Sequence, residues 1–130
     1  MSALVLDAGA LLAVEQNDRS MLARLRAAEG QGLELRTHPF VVAQVWRDSR
    51  GRQVNLARLL NAVDIVTVED QLGRNCGVLL GKAGMSDPID AAVVLIAESG
   101  DRIVTSDPDD IRRLVEAAAR PMTLITLIEL

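Results

Sequence analysis

Five short segments that mix apolar and β-branched residues, bounded by turn residues, set the strongest limit on what this chain can fold into. They occupy residues 3–6, 33–37, 63–68, 102–105 and 122–126, and segments of helical periodicity fill the gaps. Short apolar runs with turn signals at their ends read as buried strands, and the β-branched content of 63–68 favours that reading. Helices are expected at 10–14, 21–28 (one apolar face ending near Gly30), 39–47, 54–61, 69–83, 88–99 and 109–119. The stretch 69–83 is weakened by glycines, and Asp7-Ala8-Gly9 reads as a turn. Strands alternating with helices over five units indicate an α/β fold, a three-layer sandwich around a mostly parallel five-stranded sheet. No repeat or linker interrupts the pattern, so residues 1–130 are expected to form one domain.

Composition narrows the function classes. The chain is 49% hydrophobic, too apolar for disorder, yet has one Phe, one Trp and no Tyr. Its core must be aliphatic, and the lack of stacking platforms argues against an RNA-recognition motif or an oligonucleotide-binding barrel. A net charge of −4 excludes whole-surface coating of polyanions. The basic side is lopsided, thirteen Arg against one Lys, and guanidinium forks suit phosphate and carboxylate. A single cysteine, Cys76, excludes an internal disulfide and a Cys-based zinc site, and it reads as a buried thiol. No apolar segment reaches the roughly 18–20 residues of a membrane span. The opening Met-Ser-Ala-Leu-Val-Leu-Asp lacks the basic region of a secretory signal, so no membrane association and a cytoplasmic location are expected.

In sheets of this kind ligands bind beyond the carboxyl ends of the strands. Asp7 follows the first strand and Asp107 the fourth, and Asp90 lies on the first turn of the helix before the fourth. If those two strands are neighbours, the three acids share one rim. Carboxylates at close range without a base cannot all stay ionised, so they call for a cation; oxygen-only ligands suit Mg²⁺ or Mn²⁺. Helix capping accounts equally well for Asp7 and better for Asp87, which precedes Pro88. Asp107, Asp109 and Asp110 could match the dipole of the last helix. Asp90, set among Ile89, Ala91, Ala92, Val93, Val94 and Leu95, has no such explanation.

The segments Leu-Val-Leu-Asp-Ala-Gly-Ala-Leu-Leu-Ala at 4–13, Asp-Pro-Ile-Asp-Ala-Ala-Val-Val-Leu-Ile-Ala at 87–97 and Ile-Val-Thr-Ser-Asp-Pro-Asp-Asp-Ile at 103–111 together resemble the PIN domain. More specifically, the chain is similar over its whole length to the toxin ribonucleases of bacterial VapBC toxin–antitoxin modules. That resemblance implies a sheet order of 3-2-1-4-5, Mg²⁺-dependent endoribonuclease activity on structured RNA, and an antitoxin that inhibits the site. It places Asp7, Asp90 and Asp107 on the family's catalytic, metal-binding acids and Asp110 on a further polar position. A Glu usual in the helix after the second strand is replaced here by Gln44, which leaves a weak ligand or a holder of water and puts a second metal in doubt.

Arg47, Arg50 and Arg52, with Arg58 on the next helix, are candidate RNA phosphate contacts, or contacts for an acidic antitoxin segment. His38 has no Ser or acid beside it in sequence, and Cys76 has no base to activate it. Met85, Val78 and Leu79 read as core by helical spacing, while the apolar faces of the second to fourth helices could instead serve a homodimer, which is expected, or an antitoxin. Two other classes compete with the nuclease. One is a catalytically impaired PIN-like module that binds RNA or protein. The other is a phosphoacceptor receiver, which fits poorly because Leu6-Asp7 replaces its acidic pair and Lys82 is not at a strand end.

Overall fold

The structure, a computed structural model, describes residues 2–47 and 50–126. Its elements in chain order are β1 (Ala3–Leu6), α1 (Ala8–Glu15), α2 (Arg19–Gly30), β2 (Glu34–Thr37), α3 (Pro39–Val45) and α4 (Val54–Leu60). There follow β3 (Asp64–Ile65), α5 (Asp70–Ala83), α6 (Pro88–Ile96), β4 (Arg102–Thr105), α7 (Pro108–Ala118) and β5 (Thr123–Thr126). The strands form one sheet in the order β3-β2-β1-β4-β5, and every neighbouring pair is parallel. The expected fold is therefore the fold observed. Helices α1 to α4 pack among themselves and α5 to α7 among themselves, one group on each side of the sheet.

Parallel strands buried on both faces should read as continuous apolar runs, and β1 does: Ala3, Leu4, Val5 and Leu6 are all buried. The aliphatic core continues through Leu11, Val41, Leu56, Val93, Ile103, Val104, Ile111 and Leu114. Helix starts follow their caps. Asp18 accepts from the Met21 N–H at 2.9 Å, and Asp87 accepts from Ile89 at 2.9 Å and Asp90 at 3.3 Å, with Pro88 next to it. Gly84 ends α5 in the left-handed region at φ +66, where a side chain would be strained.

Four expectations need correction. Strand β3 pairs over Asp64–Ile65 only, and both residues are exposed. It is an edge strand with one neighbour, and its ladder stops after the Val66 N–H bond to the Thr37 carbonyl, so the β-branched content of 66–68 does not extend the strand. The turn read at 7–9 is already the first turn of α1, because Asp7 caps it. Helices α3 and α6 end at Val45 and Ile96, earlier than their apolar content suggested, since Trp46 and Ala97 turn extended. Val78 is exposed rather than core: the buried side of α5 runs through Leu72, Cys76, Leu79 and Ala83, and position 78 falls outside that stripe. Leu79 is buried and Met85 packs against the core, as expected. Among the described residues no helix is long and apolar enough to cross a membrane.

Candidate metal centre

The sheet order reverses between β1 and β4, whose carboxyl ends carry Asp7 and Asp107. A crevice at such a reversal is the ligand site general to open α/β sheets. Asp7 is buried and caps α1: one carboxylate oxygen accepts from its neighbour's Ala8 N–H at 2.8 Å, the other from Thr105 Oγ1–H at 2.8 Å. Thr105 Oγ1 in turn accepts the Asp107 N–H at 2.9 Å. One buried hydroxyl thus ties the two strand-end acids to a common geometry. Nothing in the sequence singled Thr105 out, beyond its being the polar last residue of an apolar strand.

Asp90 enters from the first turn of α6 and is buried. One carboxylate oxygen from each of Asp90, Asp107 and Asp110 lies within 4.8 Å of the others. Asp110, expected at the margin, is therefore part of the grouping found among the described residues, whereas Asp7 lies outside it, near enough for its charge to act on Asp90 and Asp107, with both oxygens engaged. Burial, and the like charges of Asp7, Asp87, Asp107 and Asp110, push the Asp90 carboxyl up to about 7. The Asp107 side chain reaches solvent, yet partial desolvation and the charge and hydrogen bond of Asp110 raise it as well. These residues fit a hard divalent cation: oxygen donors at ligand separation whose mutual repulsion only a proton or a cation can relieve. Asp87 serves as the α6 cap, and exposed Asp109 pairs with Arg112 at 3.1 Å.

The rim is braced from β2. His38 is fully buried, its Nδ1 accepting from Phe40 N–H at 3.3 Å and its Nε2–H donating to the Ile89 carbonyl at 3.0 Å. Burial lowers its pKa and keeps it neutral, against the opposing pull of the Ile89 carbonyl and Asp7. His38 accordingly fixes α6, and with it Asp90, to the start of α3.

Gln44 is exposed on α3. It lines a cavity of about 640 Å³ together with Leu12, Glu15, Arg47, Arg50, Arg52 and buried Gln53. The structure thus brings Gln44 together with the three arginines, while exposed Arg58 lies in the last turn of α4 and does not line that cavity. Several other arginines are structural. Buried Arg36 binds Asp101 at 3.0 Å and the Ile96 carbonyl at 3.1 Å, and Arg120 binds the Leu95 and Ala97 carbonyls. The arginine excess is therefore only in part a surface patch. Cys76 is buried, and burial raises its thiol pKa, which leaves it inert.

No family model and no curated protein matches this sequence. Among solved structures the chain is similar to one in the crystal structure of VapBC2 from Rickettsia felis bound to a DNA fragment from their promoter. The two share 15% identity at a TM-score of 0.69, over 97% of this chain and 99% of that one. What the likeness establishes is the fold: from end to end this chain has the PIN-like α/β architecture.

Proposed function

We propose that this protein is a Mg²⁺-dependent endoribonuclease that acts as the toxin of a toxin–antitoxin pair. The observation that carries the reading is the convergence of Asp90, Asp107 and Asp110 beside Asp7 at the sheet's reversal point. Asp7, Asp90 and Asp107 are the residues that would hold Mg²⁺ or Mn²⁺, with Asp110 adding a fourth carboxylate. A divalent cation bound there would polarise the scissile phosphate and acidify a water for its hydrolysis. The chain's own part is to hold these carboxylates in register through Thr105 and His38. Arg47, Arg50 and Arg52 would grip RNA phosphates, with Gln44 lining the same cavity; a neutral amide there does not compete for the guanidiniums as a carboxylate would. The similarity to a chain of the VapBC2 complex supports an antitoxin as partner. A homodimer and a cytoplasmic location belong to the same reading.

The test is cleavage of an RNA substrate by the purified full chain in Mg²⁺. Cleavage should vanish in excess EDTA, return with Mg²⁺ or Mn²⁺, and fall by at least about a thousandfold in Asp90→Asn with the fold intact by circular dichroism. Cleavage at full rate in chelator would overturn the proposal.

A further inference from the structure

We propose that α3 carries a stacking track for single-stranded RNA, in which Phe40 is the platform for a nucleobase and Arg47, Arg50 and Arg52 hold the neighbouring phosphates. The inference deepens the ribonuclease reading and rests on it.

Phe40 and Trp46, the chain's only Phe and only Trp, are both kept out of its aliphatic core. They sit at the two ends of the same short helix, Phe40 54% exposed and Trp46 37% exposed. A single exposed aromatic needs no explanation; the placement of Phe40 does. It lies two residues after His38, with the rings 6.4 Å apart at centroid and edge to face. His38 is bonded to the carbonyl of Ile89, the residue before Asp90. Phe40 therefore stands just past the carboxyl end of β2, on the same rim of the parallel sheet that carries Asp7 and Asp107.

From there the exposed side of α3 continues through Ala43 and Gln44, at the i+3 and i+4 spacing of one helix face. The Arg47 guanidinium turns back onto this face and donates to the Ala43 carbonyl at 2.9 Å. The Arg47 backbone is fastened as well. Buried Gln53 accepts the Arg47 N–H at 2.7 Å and donates to Glu15 at 2.7 Å and the Val45 carbonyl at 2.9 Å. The resulting surface runs along α3 from an aromatic ring, past a neutral amide, to three guanidiniums around one cavity. A ring on the rim that carries the acids, with cations past the far end of the same helix, matches a strand whose bases are free to stack and whose phosphates lie alongside. In a duplex the base faces are hidden and Phe40 has nothing to stack on.

The experiment uses full-length Asp90→Asn protein in Mg²⁺, so that bound RNA is not cut. The probe is an unstructured RNA of about twelve nucleotides, or the same strand annealed to its complement. Affinity is read by anisotropy and by the emission of Trp46, the sole tryptophan. The single strand should bind at least about tenfold tighter than the duplex. Adding Phe40→Ala or Phe40→Leu should cost about tenfold in single-strand affinity, and Phe40→Trp should retain it. Leu controls for apolar bulk, and an exposed position tolerates all three. Single-strand affinity unchanged in Phe40→Ala, Leu as good as Phe, or equal affinity for duplex would overturn the proposal. So would a Phe40→Ala effect confined to binding of a protein partner. Wild-type cleavage of the same RNA separates the two readings: metal-dependent cleavage with no Phe40 effect removes only the track, whereas neither cleavage nor binding removes the ribonuclease reading as well.

Discussion

The Asp90 carboxyl bears the repulsion of four acids in a buried position, and its protonation therefore couples the site to folding. Its value of about 7 in the folded chain stands above the ordinary 3.8, so between those limits the folded state holds a proton that the unfolded state has released. In chelator, stability should fall as pH rises across that window and level off above it. Asp90→Asn removes the penalty, and its melting temperature at pH 8 without metal should exceed that of the parent by roughly 5 °C. Asp107 is raised in the same sense and should leave a residual slope in that variant. Mg²⁺ added near pH 6 should release protons, a quantity that calorimetry in buffers of different ionisation enthalpy measures directly. Asp7, Asp90 and Asp107 were legible as candidates because acids at strand ends and in an apolar helix violate local expectation. Thr105 and His38 were not. A threonine ending a strand and a histidine opening a helix are locally ordinary, and only their partners 98 and 51 residues away give them a role.

At the scale of elements, α1 must approach the β4–α7 loop closely enough for Asp7 and Asp107 to share Thr105. Gly9 makes that approach possible. A Cβ there would run into Ser106 Oγ, with Ser106 Cβ at 2.8 Å and its backbone nitrogen at 3.3 Å. Gly9→Ala is compatible with helical backbone, so its cost is purely one of space. It should lower stability by ~1–3 kcal/mol in urea unfolding, and cleavage should fall with it because the two acids move apart. Pairing it with Ser106→Gly should recover much of both losses, a coupling that two independent defects would not show. From the sequence Gly9 is a turn residue; its true constraint comes from a loop almost a hundred positions later. The exposure of Val78 on α5 teaches the converse, since apolar character alone does not say on which side of a helix a residue falls.

Across the whole molecule, the end of the sheet opposite the acids is held by one buried ion pair. Asp101 accepts from the Ala3 N–H at 2.8 Å and the Glu98 N–H at 2.8 Å, and binds Arg36 at 3.0 Å, with both side chains at most 11% exposed. The pair links β1, β2, the end of α6 and the start of β4. Arg36→Met would strand a buried carboxylate and should destabilise by about 3–5 kcal/mol. Adding Asp101→Asn should recover only part of that loss in urea unfolding at neutral pH, because both Asp101 oxygens accept backbone N–H groups and an amide nitrogen would face one of them.

The sequence by itself determined the alternation of strand and helix, the aliphatic core and the acids set where strands end. These follow from periodicity, side-chain volume and local capping, all of which act within a few residues. The resemblance to the PIN domain added a sheet order that the structure bears out. Only the tertiary structure decided which acids meet, which arginines are glue and which line a cavity, and that α3 presents the chain's two aromatics to solvent. Those outcomes depend on contacts between residues tens of positions apart, and the order in which parallel strands pair is what brings such residues together.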